Sequence, residues 1–120
     1  MTQFSNNYNL EERTAKFGEN VIGLCKRIKI NICNESVIKQ ILRSATSVGA
    51  NYCEANNASS RKDFRNKIFI CKKEIQETKH WLRMLAKCDE DEKENIRNTW
   101  KEAQELTLIF QKIVNTLGNK

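Results

Sequence analysis

Three residues of one helical segment have the spacing of a metal-binding element. Glu74, Glu77 and His80 follow one another at intervals of three, which places them on one face of a helix. A Glu-x-x-His pair binds iron in di-iron carboxylate bundles, but that site needs a second pair and two further inward glutamates. His80 is the only histidine, and the first predicted helix offers only Glu19 in its middle. The sequence therefore predicts no metal site and no cofactor.

The other reactive residue types are not arranged for catalysis either. The five cysteines are odd in number and none are spaced C-x-x-C, whereas structural zinc needs closely paired ligands. No glycine-rich phosphate loop or nucleophile elbow is present, so we predict a protein that is not an enzyme and has no small-molecule substrate. We expect the cysteines to be reduced in a cytoplasmic protein, with three of them in or near the core: Cys25, Cys53 and Cys71.

Basic residues are concentrated in the middle of the chain. Residues 26–87 contain 14 Lys and Arg against 5 Asp and Glu, a net charge of +9, whereas the whole chain carries +6. Such a surface attracts phosphates, and the aromatic residues nearby, Tyr52 and Phe64, occupy core positions. The sequence thus predicts phosphate contact with RNA rather than base reading, through Lys39, Arg61, Lys62, Arg65, Lys67, Lys72 and Lys73. Lysines that only keep a helical surface soluble are the alternative interpretation.

Some of the same charges could instead hold two helices in register. If the chain folds back about residue 58, Arg43 lies within a turn of Glu74 and Glu77, and Glu54 lies opposite Lys62. Half-buried ion pairs of this kind fix how two helices align. Asn51 would then face position 65 and satisfy polar groups near the turn. We therefore predict a structural polar network of Arg43, Asn51, Glu54, Glu74 and Glu77.

Long helices with short connections must position these residues. The chain has no proline and four glycines, and its apolar residues recur at intervals of three and four. This pattern predicts a disordered tail over 1–8 and a single domain over 9–118, with helices at about 10–30, 35–56, 61–88 and 90–117. The short turns predict an all-α, antiparallel, up-down-up-down four-helix bundle. No apolar run is long enough to span a membrane, and no secretory signal is visible.

Individual residues are expected to end and pack these helices. Gly49 lies inside the second helix among small residues and is expected to let a neighbouring helix approach closely. Gly118 is expected to end the last helix, whose inward face includes Trp100. Four residues are predicted to cap helix starts, and three of them have an acidic partner three positions later. They are Asn9 with Glu12, Asn34, Ser60 with Asp63, and Asp89 with Glu92.

The last two helices carry more apolar residues than one seam needs. Phe69, Trp81, Met84 and Ile109 form this excess. Exposed apolar surface of this kind favours an interface between subunits, so we predict a homo-oligomer that uses these four residues. The alternative is a wide apolar stripe that faces a thick core of a single chain.

Three stretches resemble one protein family over roughly residues 9–117. Residues 43–55, R-S-A-T-S-V-G-A-N-Y-C-E-A, resemble the second helix of the four-helix-bundle proteins encoded by intervening sequences in bacterial 23S rRNA genes. Residues 60–64 and 73–85 resemble the start and the remainder of the third helix of that family. The most specific positions are Ser47, Asn51, Glu54 and the motif Ser60-x-Lys62-Asp63-Phe64.

The resemblance implies a bundle that assembles as a homopentameric ring without enzymatic activity. The family is similar to the accessory proteins of diversity-generating retroelements, which form basic pentameric barrels that bind nucleic acid and a reverse transcriptase. It therefore implies an RNA-binding or nucleic-acid-binding accessory role. A ring that docks another protein and has no nucleic-acid role is the alternative.

Overall fold

Four α-helices make up the part of the chain that the structure describes. The structure, a computed structural model, describes residues 9–118. The helices are α1 (Leu10–Arg27), α2 (Glu35–Asn56), α3 (Arg61–Cys88) and α4 (Lys93–Leu117), and a 3₁₀ turn, Glu90–Glu92, precedes α4. Residues 9–118 contain no β-strand, so the predicted all-α class with four helices is confirmed. The predicted tail over 1–8 lies outside the described residues.

The C-terminal end of α1 and the start of α4 differ from the prediction. Helix α1 ends at Arg27 rather than near residue 30, because Ile28 is already extended, with φ −97° and ψ 129°. The amide of Asn34 donates to the carbonyl of Lys29, which fixes this extended exit from the helix. Helix α4 begins at Lys93 rather than at residue 90, because residues 90–92 form the 3₁₀ turn.

Of the five predicted helix ends, two are confirmed, whereas Asn9, Asn34 and Asp89 make no side-chain cap bond. Ser60 Oγ accepts a hydrogen bond from the Asp63 N–H at 3.0 Å, which caps α3. Gly118 ends α4 with φ 72°, a left-handed conformation that glycine adopts without strain. Asn9 makes no side-chain cap bond, because its own backbone is left-handed, with φ 47°, and the predicted pairing with Glu12 is absent there.

Asn34 has a different role from the predicted cap of α2. Its side chain makes no cap bond to α2 and is fully buried. The Asn34 amide nitrogen donates to Lys29 O at 3.0 Å and to Asp89 Oδ2 at 3.0 Å, and its oxygen accepts from Asn31 N at 2.8 Å. One buried amide therefore joins the α1–α2 connection to the start of the α3–α4 connection.

The inward stripes of all four helices meet in one core. Tyr52 and Phe64 are buried, as the stripes predict, and the Tyr52 ring centroid lies 6.4 Å from that of Phe110. Two expectations are wrong. Trp100, which the apolar spacing places in the core, is 37% exposed because it lies at the edge of the α4 stripe beside α3. Cys53 is also exposed, since it neighbours the buried Tyr52 and therefore points outward from α2.

Helices α1 and α2 approach each other closely at their glycines. A Cβ atom placed on Gly49 would lie 3.4 Å from the Thr14 carbonyl oxygen, and one on Gly18 would lie 3.7 Å from Thr46 Cα. The close packing expected at Gly49 is therefore present, and α1 supplies the backbone that it meets.

Buried polar and thiol groups join α2 to α3. The hydroxyl oxygens of Ser44 and Thr78 lie 2.7 Å apart, and both residues are fully buried. The Cys71 thiol donates to the Val48 carbonyl oxygen at 3.5 Å, and burial raises its pKa to about 12.

Helix α4 is linked to α1 and α3 by arginine side chains. Arg13 of α1 contacts Glu102 at 2.7 Å and Glu105 at 2.6 Å. The hydrogen bond to Glu102 is the main reason why the pKa of Arg13 is raised above its usual value. Arg61 at the start of α3 donates to the carbonyl oxygen of Leu117 at 2.9 Å, near the end of α4. Together these helices measure 45 × 23 × 20 Å.

Candidate nucleic-acid interface

The edge of α3 that faces α2 carries a charged network. Arg43 of α2 donates to Glu74 Oε1 at 3.2 Å and also to Glu77 of α3. The Trp81 indole donates to the same Glu77 carboxylate at 3.1 Å. Glu74 is buried and Arg43 is about half exposed, so the guanidinium supplies the positive charge that this carboxylate needs. The structure thus brings together the three residues that the predicted fold-back placed within a turn of one another.

The predicted partner of Glu54 is wrong. Glu54 pairs with Lys67 at 2.7 Å rather than with Lys62. Lys67 adjoins the buried Ile68 and so lies at the α2-facing edge, whereas Lys62 lies on the outer face of α3. The hydrogen bond to Glu54 raises the pKa of Lys67. Lys67 is therefore an ion-pair member rather than an unpaired cation.

Asn51 does not reach across to the region of residue 65. Its amide nitrogen donates to the Ser47 carbonyl oxygen and to Ser47 Oγ, each at 2.9 Å, within α2. A side-chain amide inside a helix can donate to the carbonyl four residues earlier, because that carbonyl lies on the same face one turn below. Of the five predicted network residues, Arg43, Glu74 and Glu77 form one cluster, and Glu54 and Asn51 lie apart from it.

Three more of the seven cations predicted to contact RNA have partners within the chain. Lys39 pairs with Glu35 on α2 at 3.5 Å, and both side chains are largely exposed. Arg61 donates to the end of α4, as described above. The Arg65 guanidinium carbon lies 4.7 Å from the centroid of the Phe69 ring. These contacts direct the three side chains toward neighbouring groups of the same chain.

The three remaining cations of the prediction form no ion pair with any residue in 9–118. They are Lys62, Lys72 and Lys73. Lys62 and Lys73 are exposed and eleven residues apart, so they lie on nearly the same face of α3. Two further exposed cations, Arg83 and Lys87, continue this outer face toward the end of the helix. Sequence reasoning missed these two because it considered only the first half of the helix. We call Lys62, Lys73, Arg83 and Lys87 the outer basic face.

An apolar groove opens between α3 and α4 beside Arg83. It has a volume of about 500 Å³, and its apolar lining comes from Leu82, Ala86, Ile96 and Trp100. Its other lining residues are all cationic: Arg83, Lys93, Arg97 and Lys101. The spacing of 93, 97 and 101 is the signal that could have found it, since residues four apart share one helix face.

The four residues predicted for a subunit interface do not form one strip. Phe69 is 39% exposed on α3, whereas Trp81 and Ile109 are half-buried and pack against the core. Trp81 lies at the α2-facing edge of α3 through its bond to Glu77. Ile109 lies one turn after Glu105, on the side of α4 that contacts α1. Met84 is half-buried on α3.

Residues 9–118 contain neither a candidate metal site nor a helix that could span a membrane. No three residues among His, Cys, Asp and Glu are grouped so that they could hold a metal ion. None of the helices α1 to α4 combines the length and apolar character that crossing a membrane requires.

Comparisons with known proteins place this chain beside one family. A family model described as 23S rRNA-intervening sequence protein matches residues 6–112. A crystal structure of a Bacteroides thetaiotaomicron protein of unknown function, from the S23 ribosomal protein family, has a TM-score of 0.75 and 33% sequence identity to this chain. The similarity covers 87% of this chain and 96% of that protein. No curated protein matches the chain.

Proposed function

The chain belongs to the 23S rRNA-intervening sequence protein family, and from this membership we propose that it is a non-enzymatic accessory protein that binds structured RNA through the outer basic face. The observation that carries the proposal is the lack of ion pairs at Lys62, Lys73, Arg83 and Lys87 among residues 9–118. Exposed cations without carboxylate partners are available to phosphates, and each phosphate contact releases a condensed counterion.

The proposed molecule is a cytoplasmic, antiparallel up-down-up-down bundle that assembles as a homopentameric ring. The order of contacts supports the antiparallel arrangement, since Ser44 meets Thr78 while Val48 meets Cys71. The ring follows from the family resemblance. Five copies would present the outer basic face five times, and binding then gains from effective concentration without any new contact. Light scattering of the purified protein measures the number of subunits, and a monomer would contradict the ring.

The test is a titration with a fluorescently labelled RNA hairpin at several salt concentrations. We expect tight binding at low salt that weakens steeply as salt rises. The double variant Lys62→Ala/Lys73→Ala should reduce the slope of log K against log salt by about 1 for each lysine–phosphate interaction that it removes. The matched control is Lys16→Ala/Lys112→Ala, which removes the same charge from exposed positions on α1 and α4.

Two results would contradict RNA binding through this face. Affinity that is independent of salt would exclude a phosphate-driven interaction. Equal weakening by the two double variants would show that only net charge matters and that α3 has no special role.

A protein-docking ring without a nucleic-acid role is the second candidate. It is favoured by large apolar side chains that lie away from the outer basic face, at Ile22, Ile32 and Leu108, which are 41%, 96% and 59% exposed. Purified protein free of copurified nucleic acid, together with no detectable hairpin binding at low salt, would support this candidate over RNA binding.

A further inference from the structure

The groove between α3 and α4 combines an aromatic side chain with an uninterrupted cationic rim. Leu82 and Ile96 are buried and form its floor, while Trp100 remains 37% exposed at its side. Arg83 projects from the α3 wall, and Lys93, Arg97 and Lys101 lie along the α4 wall. None of the eight lining residues is acidic, which distinguishes this groove from the charged edge between α2 and α3.

The four cations give the groove a positively charged rim. None of them forms an ion pair with another residue in the described range 9–118. Lys93, Arg97 and Lys101 are spaced by four residues, so they form a row with roughly 6 Å between successive side chains along α4. A row of this kind suits a ligand with repeated negative charges.

Trp100 gives the groove a second property that a phosphate-binding surface does not need. The Lys79 ammonium of α3 lies 5.2 Å from the centroid of the Trp100 ring and also donates to Gln104, so the cation that contacts the indole is itself bonded to α4. Proteins that bind single-stranded nucleic acids combine an exposed aromatic ring with a row of cations. The bases stack on the ring, and the phosphates contact the cations.

We propose that this groove binds an unpaired nucleotide of RNA, with its base stacked on Trp100 and the flanking phosphates contacting Arg97, Lys101 and Arg83. The proposal rests on the proposed function and adds the site at which the RNA is recognised. Arg83 belongs to both surfaces, so an RNA that follows the outer basic face leads directly into the groove. A volume of about 500 Å³ lies within the range of small-ligand pockets, which fits one nucleotide better than a docked helix.

The experiment uses Trp100 as its own probe. Trp81→Phe leaves Trp100 as the only tryptophan, because the chain has two. This variant is titrated with a 12-nucleotide single-stranded RNA, with an abasic oligomer of the same length and charge, and with an acidic peptide that contains leucines. We expect quenching of Trp100 fluorescence by the RNA and little quenching by the abasic oligomer, since only the former can stack.

Substitution of the ring supplies the affinity test. Trp100→Ala should weaken binding of the single-stranded RNA by roughly 5- to 150-fold, the effect of removing one base–aromatic stack, and Trp100→Phe should retain most of the affinity. Leu108→Ala, on the same helix and outside the groove, is the matched control and should leave the affinity unchanged. Thermal melts followed by circular dichroism identify any variant that fails to fold. If Trp100→Ala fails to fold, the affinity and fluorescence of Trp100→Phe are compared with those of the unsubstituted chain instead.

The outcomes separate this proposal from the proposed function. RNA that binds with full affinity to Trp100→Ala and does not quench Trp100 overturns the nucleotide site and leaves RNA binding through the outer basic face intact. Quenching by the acidic peptide alone overturns it in favour of a protein partner. Failure of every RNA to bind at low salt overturns both proposals together.

Discussion

The two edges of α3 differ in whether the cations beside them are paired with carboxylates. At the α2-facing edge, Arg43 is held by Glu74 and Glu77, and Lys67 is held by Glu54. At the α4-facing edge, the cations of the groove surround apolar side chains and Trp100 with no carboxylate among them. One edge is closed by charge pairing and the other is open to an anionic ligand.

This difference shows that pairing, and not the count of basic residues, determines where an anion can bind. A lysine that already pairs with a glutamate must break that ion pair before it can meet a phosphate, whereas an unpaired lysine releases only water and counterions. The closed edge should therefore contribute to stability and the open edge to binding.

The first prediction compares a core side chain below the closed edge with a side chain of the open edge. Ile75 is fully buried beside Glu74, whereas Trp100 is 37% exposed. We expect Ile75→Ala to lower the free energy of unfolding by about 2–5 kcal/mol, because it leaves a cavity that cannot collapse. Trp100→Ala should lower it by only about 1–2 kcal/mol despite the larger side chain, since much of the ring already contacts water. Urea unfolding measures both, and a greater loss for Trp100→Ala would contradict the division.

The second prediction uses the thiol that lies inside the closed interface. Burial raises the pKa of Cys71 from 9.0 to about 12, so the folded state keeps a proton that the unfolded state releases between these values. Stability must then fall as pH rises above 9, with a contribution from one proton of up to about 1.4 kcal/mol per pH unit. Unfolding measured from pH 8 to 11 should show a shallower decline for Cys71→Ala than for the unsubstituted chain. Cys53→Ala, at an exposed position of α2, should keep the full decline.

The third prediction concerns the ion pairs that close the α2-facing edge. Arg43→Ala leaves the buried Glu74 carboxylate without its cation, and we expect a loss of about 1–2 kcal/mol, reduced by the half exposure of Arg43. A double-mutant cycle of Arg43→Ala and Glu74→Gln should give a coupling energy of at least about 0.5 kcal/mol. Additive effects would mean that the pair does not hold the helices together. Lys39→Ala, which breaks an exposed pair with Glu35, is the control and should change stability by less than about 0.5 kcal/mol.

Much of the fold follows from apolar spacing in the sequence, and the exceptions have local causes. Helices α2 and α3 span 35–56 and 61–88, the ranges that the spacing gives. The connections were harder to predict, because Asn34 takes its partners from residues 29, 31 and 89, and the last of these is 55 positions away. The spacing of apolar residues does not predict a hydrogen bond between side chains in two connections that are distant in sequence.

The candidate site was predictable only where two helices are joined by a short turn. The α2–α3 turn is so short that folding the chain about its middle placed Arg43 near Glu74 and Glu77, although it gave Glu54 the wrong lysine by five positions. The groove depends on where α4 lies against α3, and a stripe of apolar residues does not show which of its edge members remain exposed. The apolar spacing alone therefore places Trp100 in the core, and it gives no reason to group the cations around it.

The two edges are compared most directly by removing one cation from each, and these substitutions should have small effects. Arg97→Ala takes an unpaired cation from the open edge, and Lys67→Ala takes a paired one from the closed edge. With single-stranded RNA at low salt, we expect Arg97→Ala to weaken binding about three- to tenfold and to reduce the salt slope by about 1. Lys67→Ala should change the affinity by less than about twofold and the salt slope by less than about 0.3, because Glu54 already neutralises that ammonium.

A further substitution at the closed edge makes the same comparison from the opposite direction. Glu54→Gln removes the carboxylate and releases Lys67, and we expect RNA affinity to rise about two- to threefold with a steeper salt dependence. Its cost in stability should stay below about 0.5 kcal/mol, since the Glu54 side chain is 58% exposed. If Lys67→Ala weakens binding as much as Arg97→Ala does, and Glu54→Gln changes nothing, then pairing does not govern which cations reach the RNA. The contrast between the two edges of α3 would then reflect helix packing alone.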